Sequence, residues 1–360
     1  MNRRATLLVA LCAVVFGGLM MRGADPEIAK VGPTGSARPT ATVTVPLRQS
    51  PHVIPVADPE ATGDPYAALA RTLHARGVQI WFEADMVARW LEGPQSFQEA
   101  LDRLGQLASV PGVQGFKVAD ELGYGDGINS AAQATDFLRA VRSGLARVAP
   151  HAQVLVDVVV PELGCLPWTS AGSQSCAREV NAKHPACTEA AVTGYLRQGL
   201  VDRLDLSTSL LDEWTYQAWG LSQVQAQQAA WRHVNALGWD QLTVLQSRKA
   251  LADAGGYQGS AIQADHDVQT FVDAPTAGGA RAVDVWCWRQ GYDGHTVSLL
   301  ADDLAPNPLW QRLEARHRAG VRLITHITPS LLLPTKAERS EEIARFASVF
   351  DEAFVAAGTG

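Results

Sequence analysis

The sequence predicts an α/β fold, a single (β/α)₈ TIM barrel that follows an N-terminal signal and a linker. Short runs rich in Val, Ile, Leu and aromatic residues alternate with amphipathic stretches from residue 52 to the C-terminus, the pattern of repeated strand–helix units. Eight such units are present, the number that closes a parallel barrel. No Gly-rich phosphate loop follows the first strand, which argues against an open doubly wound sheet. With 360 residues, 47% of them hydrophobic, the chain can bury a large core.

The predicted strands are His52 to Asp58, Val78 to Asp85, Val113 to Glu121, Gln153 to Val160, Arg203 to Ser209, Gln241 to Ser247, Ala282 to Trp288 and Arg322 to Thr328. Helical patterns separate them: Tyr66 to Arg76, Ser96 to Ser109, Ala131 to Val148, Thr188 to Leu200, Gln217 to Leu237 and Pro308 to Ala319. Between strands six and seven the helical stretch, Asp265 to Asp273, is short. A last helix, Lys336 to Ala357, closes the series. Pro51 and Pro55 bracket the first strand, which suits an edge better than a sheet interior.

Before the folded region, Arg3 and Arg4 precede an apolar run from Ala5 to Met21. This reads as a signal peptide or N-terminal anchor over residues 1–23. Residues 24–50, rich in Pro, Gly, Thr and Ala, read as a flexible linker, and residues 51–360 as the barrel domain. The expectation is a secreted or extracytoplasmic protein, where cysteines can pair. Cys165, Cys176 and Cys187 are evenly spaced in one Pro/Ser/Gly-rich stretch, and a Cys165–Cys176 disulfide would staple it. Cys287 lies in an apolar run and reads as a buried thiol. A formal charge of −7 without any Lys/Arg run excludes a nucleic-acid surface, and no later segment is apolar enough to span a bilayer. A monomer with no membrane partner beyond the N-terminal segment is expected.

Alternate residues of a barrel strand face the axis or the surrounding helices. Parity places Glu83 and Asp85, Lys117 and Glu121, Asp157, Asp205, and Asp284 with Trp286 and Trp288 inward; His326 follows by the same rule. Five strands thus direct a carboxylate to the axis. Burying several carboxylates costs several kcal/mol each unless they are paired, so such a set points to a site at the strand C-termini. Salt-bridged strand ends at the rim, with Lys117 neutralising one or two carboxylates, are the plainer alternative for any single residue.

The strongest local motif is Gly115-Phe116-Lys117-Val118-Ala119-Asp120-Glu121-Leu122-Gly123, a strand that ends in an Asp-Glu pair and enters the loop Gly123-Tyr124-Gly125-Asp126-Gly127. A strand of the form Gly-Phe-x-x-x-Asp-Glu, in an exported barrel with Trp on a late strand, resembles the glycoside-hydrolase-like TIM-barrel superfamily. The resemblance implies carboxylate acid/base cleavage of a poly- or oligosaccharide, with Glu121 as general acid/base, Asp120 assisting, and Asp157 or Asp205 as second carboxylate. Trp286 and Trp288 would form a sugar-stacking wall. Lys117 and Asp284 would tune the carboxylates, while Glu83, Asp85, Arg248 and His326 would line the mouth. A non-catalytic glycan-binding barrel is the rival reading. No metal or organic cofactor is expected: the 9 His are scattered, with no His-x-His pair on the first strand. A Schiff-base role for Lys117 or Lys249 is disfavoured, because Lys117 among carboxylates should stay protonated. A Gly-x-Ser-x-Gly elbow is absent.

Overall fold

The computed structural model describes residues 63–356 apart from 240–242, 248–250 and 293, and for 243–247 it describes the backbone. The apolar N-terminal run, the linker, the strand expected at 52–58, Arg248 and Lys249 lie outside the described residues.

Ten strands are described: β1 Gln79–Glu83, β2 Val113–Lys117, β3 Gln153–Val159, β4 Arg203–Ser207, β5 Thr243–Ser247, β6 Val283–Val285, β7 Arg289–Tyr292, β8 His295–Ser298, β9 Leu323–Ile327 and β10 Glu352–Val355. Eight of them pair in parallel, each with two neighbours, in the order β1-β2-β3-β4-β5-β6-β9-β10, and β10 pairs back to β1. The chain is therefore a mixed α/β fold with a curled parallel sheet, consistent with a TIM-like architecture. The remaining pair, β7 and β8, forms an antiparallel hairpin that joins β9 at Arg289.

Alternation along each strand builds two compartments. Ile80, Phe82, Phe116, Val154, Val156, Leu204, Leu206, Val283 and Val285 belong to the large outer core shared with the helices. Trp81, Leu155, Ala282, Ile324 and Phe354 form a separate inner cluster. Below that layer, Glu352 is fully buried and accepts from Trp81 Nε1 (2.7 Å) and Arg203 Nη1 (2.9 Å), with Arg322 Nε at 2.7 Å. Above it lie the polar residues of the candidate site.

Among the departures from expectation, two alter the parallel sheet. The helix expected at Lys336 to Ala357 ends at Ala347, and Glu352–Val355 is a strand that supplies the eighth member of the parallel set. Its alternation of inward Glu352 and Phe354 with outward Ala353 and Val355 spans only four residues, too few to interrupt the helical pattern before it. The strand expected at Ala282 to Trp288 stops at Val285. Cys165 and Cys176 are joined in a disulfide, and Cys187 and Cys287 are buried free thiols. Among the described residues no helix is long and apolar enough to cross a membrane.

Candidate active site

The C-terminal ends of β1, β2, β3, β4, β6 and β9 bring six polar side chains into one buried cluster. Register explains the meeting, since Glu83 is level with Lys117 across β1 and β2, and Asp157 is level with Asp205 across β3 and β4. Lys117 is 0% exposed, and its Nζ lies 3.2 Å from Asp205 Oδ2, 3.4 Å from Asp157 Oδ2 and 3.5 Å from Glu83 Oε2. The Phe354 ring supports the ammonium from below, 5.0 Å away. His326 lies between two carboxylates, Nδ1 2.8 Å from Glu83 Oε2 and Nε2 3.0 Å from Asp284 Oδ2. Asp120 reaches the cluster from its open side, 3.9 Å from Lys117 Nζ, with about a third of its side chain exposed (35%). It shares a hydrogen bond with Asp157.

Charge balance governs this arrangement. Four carboxyl groups, Glu83, Asp157, Asp205 and Asp284, face two cationic groups, and burial penalises any charge left over. Burial works against the Lys117 ammonium, yet the surrounding carboxylates outweigh it and hold its pKa well above the usual lysine range. Burial drives Asp157 well above the carboxylate range despite Lys117, and lifts Asp205 to about 7 with help from Asp284. For His326, burial and Lys117 both oppose the charged form, but Asp284 and Glu83 prevail and raise it to about 9. Lys117, His326 and Asp157 thus hold protons at neutral pH, and Asp205 titrates close to it.

Asp205, Asp284 and His326 also place donor atoms within 4.8 Å of one another, the spacing of a metal centre. Their chemistry does not fit one. Held protonated between Glu83, 2.8 Å from Nδ1, and Asp284, 3.0 Å from Nε2, the imidazole has no lone pair to offer an ion.

The motif strand ends at Lys117, and the chain then turns through Asp120 and Glu121. Glu121 has φ +54, a left-handed conformation uncommon outside glycine, and it is half-buried. The turn is tied down: Leu122 N–H donates to Asp157 O (2.9 Å), and Tyr124 N–H to Glu121 O (2.8 Å). Asp126 accepts from Gly123 N–H (3.1 Å) and Ile128 N–H (2.9 Å). Sequence reasoning quoted Asp126 within its loop without giving it a role, although Asp between glycines is a turn signal.

Lys117, Glu83, Asp157, Asp205, Asp284 and His326 meet as inward parity predicts, with Asp120 at their edge. Other residues depart from it. Asp85 is the N-cap of the helix Met86–Glu92 and accepts from Ala88 N–H. Trp288 is not a wall of the mouth. Its ring packs against Trp310, Phe346 and Phe350, and its Nε1 donates to buried Glu342, because alternation ceases where β6 ends at Val285. Trp286 stays half-buried, edge-on to Tyr292. The thiols are poor nucleophiles: burial pushes Cys187 up to about 12 and Cys287 well above its usual value.

No family model matches the chain, and no curated protein matches it in sequence. Among solved structures it is similar to 2,3-dimethylmalate lyase, a PEP mutase/isocitrate lyase superfamily member, at 13% identity over 81% of this chain and 80% of that one, with TM-score 0.37. A protein assigned as a deoxyribose-phosphate aldolase from Toxoplasma gondii is 13% identical over 82% and 92%, TM-score 0.41. The beta-glycosidase BGL167 is similar at 12% over 81% and 75%, TM-score 0.31. These are likenesses of fold alone, and the glycoside hydrolase expectation is corrected on the geometry of the site. Asp157 and Asp205, expected to attack a sugar or activate water, are enclosed around Lys117, and one of the two expected stacking tryptophans is in the core. The expectation of export gains no support from these likenesses.

Proposed function

We propose that the protein is an acid–base enzyme of the lyase or isomerase kind, moving protons on a small polar substrate held where Asp120 and Glu121 leave β2. The observation that supports this reading is the buried Lys117–carboxylate–His326 cluster, whose member Asp120 reaches solvent while hydrogen-bonded to Asp157. Burying so many titratable groups is costly for a purely structural purpose, and groups that hold protons at neutral pH suit proton transfer.

In this mechanism the Glu121 carboxylate takes a proton from a carbon next to a substrate carbonyl, the C–H electron pair becomes the new C=C bond, and the C=O π pair moves onto the carbonyl oxygen. Asp120 delivers a proton to that oxygen and is resupplied by Asp157, which burial keeps protonated. Asp205 serves as a second proton store. Lys117, with Glu83, Asp284 and His326 in the same cluster, fixes its charge.

The test is carbon-bound deuterium uptake in D₂O across small hydroxy-carbonyl and 2-oxo compounds, followed by proton NMR. Wild-type protein should exchange at least one compound. Glu121→Gln and Asp120→Asn should lose about 10²- to 10⁴-fold of that rate with unchanged circular dichroism. Absence of exchange above the solvent rate across the panel, or full rates in both variants, would overturn the proposal.

A further inference from the structure

The turn that carries Glu121 is closed by a carboxyl group in an unfavourable place for a charge. Asp126 bridges the turn, accepting from Gly123 N–H and Ile128 N–H, so one side chain joins its two ends. The connection after the helix Ala171–Lys183 packs against the turn. Ala186 lies so close to Gly123 that a Cβ there would stand 2.5 Å from the alanine methyl, and Gly123, at φ +76, needs glycine on both counts. The Cys187 thiol approaches Gly123 O at 3.7 Å, and Tyr124 stacks on His184 at 4.2 Å between ring centroids.

Among the described residues, the titratable groups coupled to Asp126 are Asp85, at the start of the helix Met86–Glu92, the Cys187 thiol and the Tyr195 hydroxyl, none of them a cation. Glu162 stands behind Cys187, and His184 with Lys183 flanks Tyr124. On its own loop the neighbours are Asp120 and Glu121. An ionised Asp126 therefore meets a like charge and a desolvated setting, opposed by backbone N–H groups of Gly123, Ile128 and Asp126 itself.

From this geometry we propose that Asp126 is a positioning residue for Glu121, a latch on the 121–128 turn that holds while its carboxyl is protonated and loosens as it ionises. The role deepens the acid–base reading, since it concerns the same turn. The sign follows from linkage. Burial and Asp85 raise Asp126 to about 6 in the closed turn, above its ordinary 3.8, although the amide hydrogen bonds pull the other way. A closed state that binds the proton more tightly is favoured at low pH, so opening grows as pH rises through about 6.

Amide hydrogen exchange on the full chain tests the latch without any substrate. After correction for intrinsic exchange, protection at Leu122, Gly123, Tyr124 and Ile128 should fall about tenfold between pH 5 and 7.5 in wild-type protein. Asp126→Asn, a neutral isostere, should keep the protection of the low-pH state throughout that range. Asp126→Ala should lose about tenfold at every pH, because both amides lose their acceptor. Wild-type-like pH dependence in Asp126→Asn, or full protection in Asp126→Ala, would overturn the latch. The deuterium-uptake assay separates the two proposals. If Glu121→Gln has no effect on uptake while the amide pattern holds, the role given to Glu121 fails and the latch stands. If Asp126→Ala slows uptake and Asp126→Asn restores it, the latch acts on the reaction.

Discussion

Lys117 has the least freedom of any residue in the cluster. Its ammonium lies within 3.5 Å of Glu83, Asp157 and Asp205, and its stem is enclosed completely. Removing one partner of a buried ionic group leaves the other charges uncompensated, whereas replacing several together can be nearly neutral. Lys117→Met should therefore cost about 3–5 kcal/mol in urea unfolding at pH 7. Adding Asp205→Leu to that variant should recover part of the loss, a coupling that a double-mutant cycle reads directly. If the two changes add without coupling, Lys117 and Asp205 do not act as a pair. Lys117 was also the most legible residue of the site. Its place in an otherwise apolar strand forced an inward reading, and a lysine can remain inside only among carboxylates.

Elements were legible where their alternation was long enough to fix a face. The strands from β1 to β4, together with β9, each show the inward–outward pattern over at least five residues, and their ends fall within two residues of expectation except at the C-terminal end of β2, which stops four residues early. Where regular pairing stops early, parity stops with it, and this is why Trp288 was misplaced. Beyond Val285 its orientation is set by Glu342, which no local pattern announces. Glu342 is fully buried and accepts from Trp288 Nε1 (3.0 Å), Arg289 Nε (3.0 Å) and Leu333 N–H (2.8 Å), so it ties the β7–β8 hairpin and the segment after β9 to the helix Lys336–Ala347. Three donors from remote positions meeting one carboxylate is a tertiary fact. Glu342→Ala should leave three buried donors unsatisfied and lower stability by about 3 kcal/mol or more, with exchange of the Leu333 amide accelerating more than that of β2. A loss below about 0.5 kcal/mol in thermal unfolding would show that those donors find other partners. Gly115 gives a second check within the sheet, since a Cβ there would stand 2.1 Å from Gln153 O on β3. Gly115→Ala should cost about 1–3 kcal/mol by forcing those strands apart.

At the scale of the molecule, the cluster should govern how stability depends on pH, and the direction can be worked out group by group. His326 rises to about 9 because Asp284 and Glu83 outweigh burial and Lys117, so its contribution is complete below its ordinary 6.5 and lost as pH rises through 9. Asp205 rises to about 7, chiefly through burial, so folding favours its protonated form; that contribution is complete below 3.8 and lost as pH rises through 7. Both act in the same direction, although most carboxylates in ion pairs stabilise a protein as pH rises. The melting temperature should therefore fall between pH 6 and 9.5, where exposed carboxylates have finished titrating and cannot mask the effect. His326→Gln should lower stability at pH 6 and flatten the curve between 6.5 and 9, while Asp205→Asn should flatten it below 7. A melting temperature that rises across pH 6 to 9.5, or variants whose curves run parallel to wild type, would mean that the cluster releases its protons to solvent as freely in the folded chain as in the unfolded one. The same buried groups would then be unable to retain protons for a substrate, so this titration tests the basis of the acid–base reading before any substrate is found.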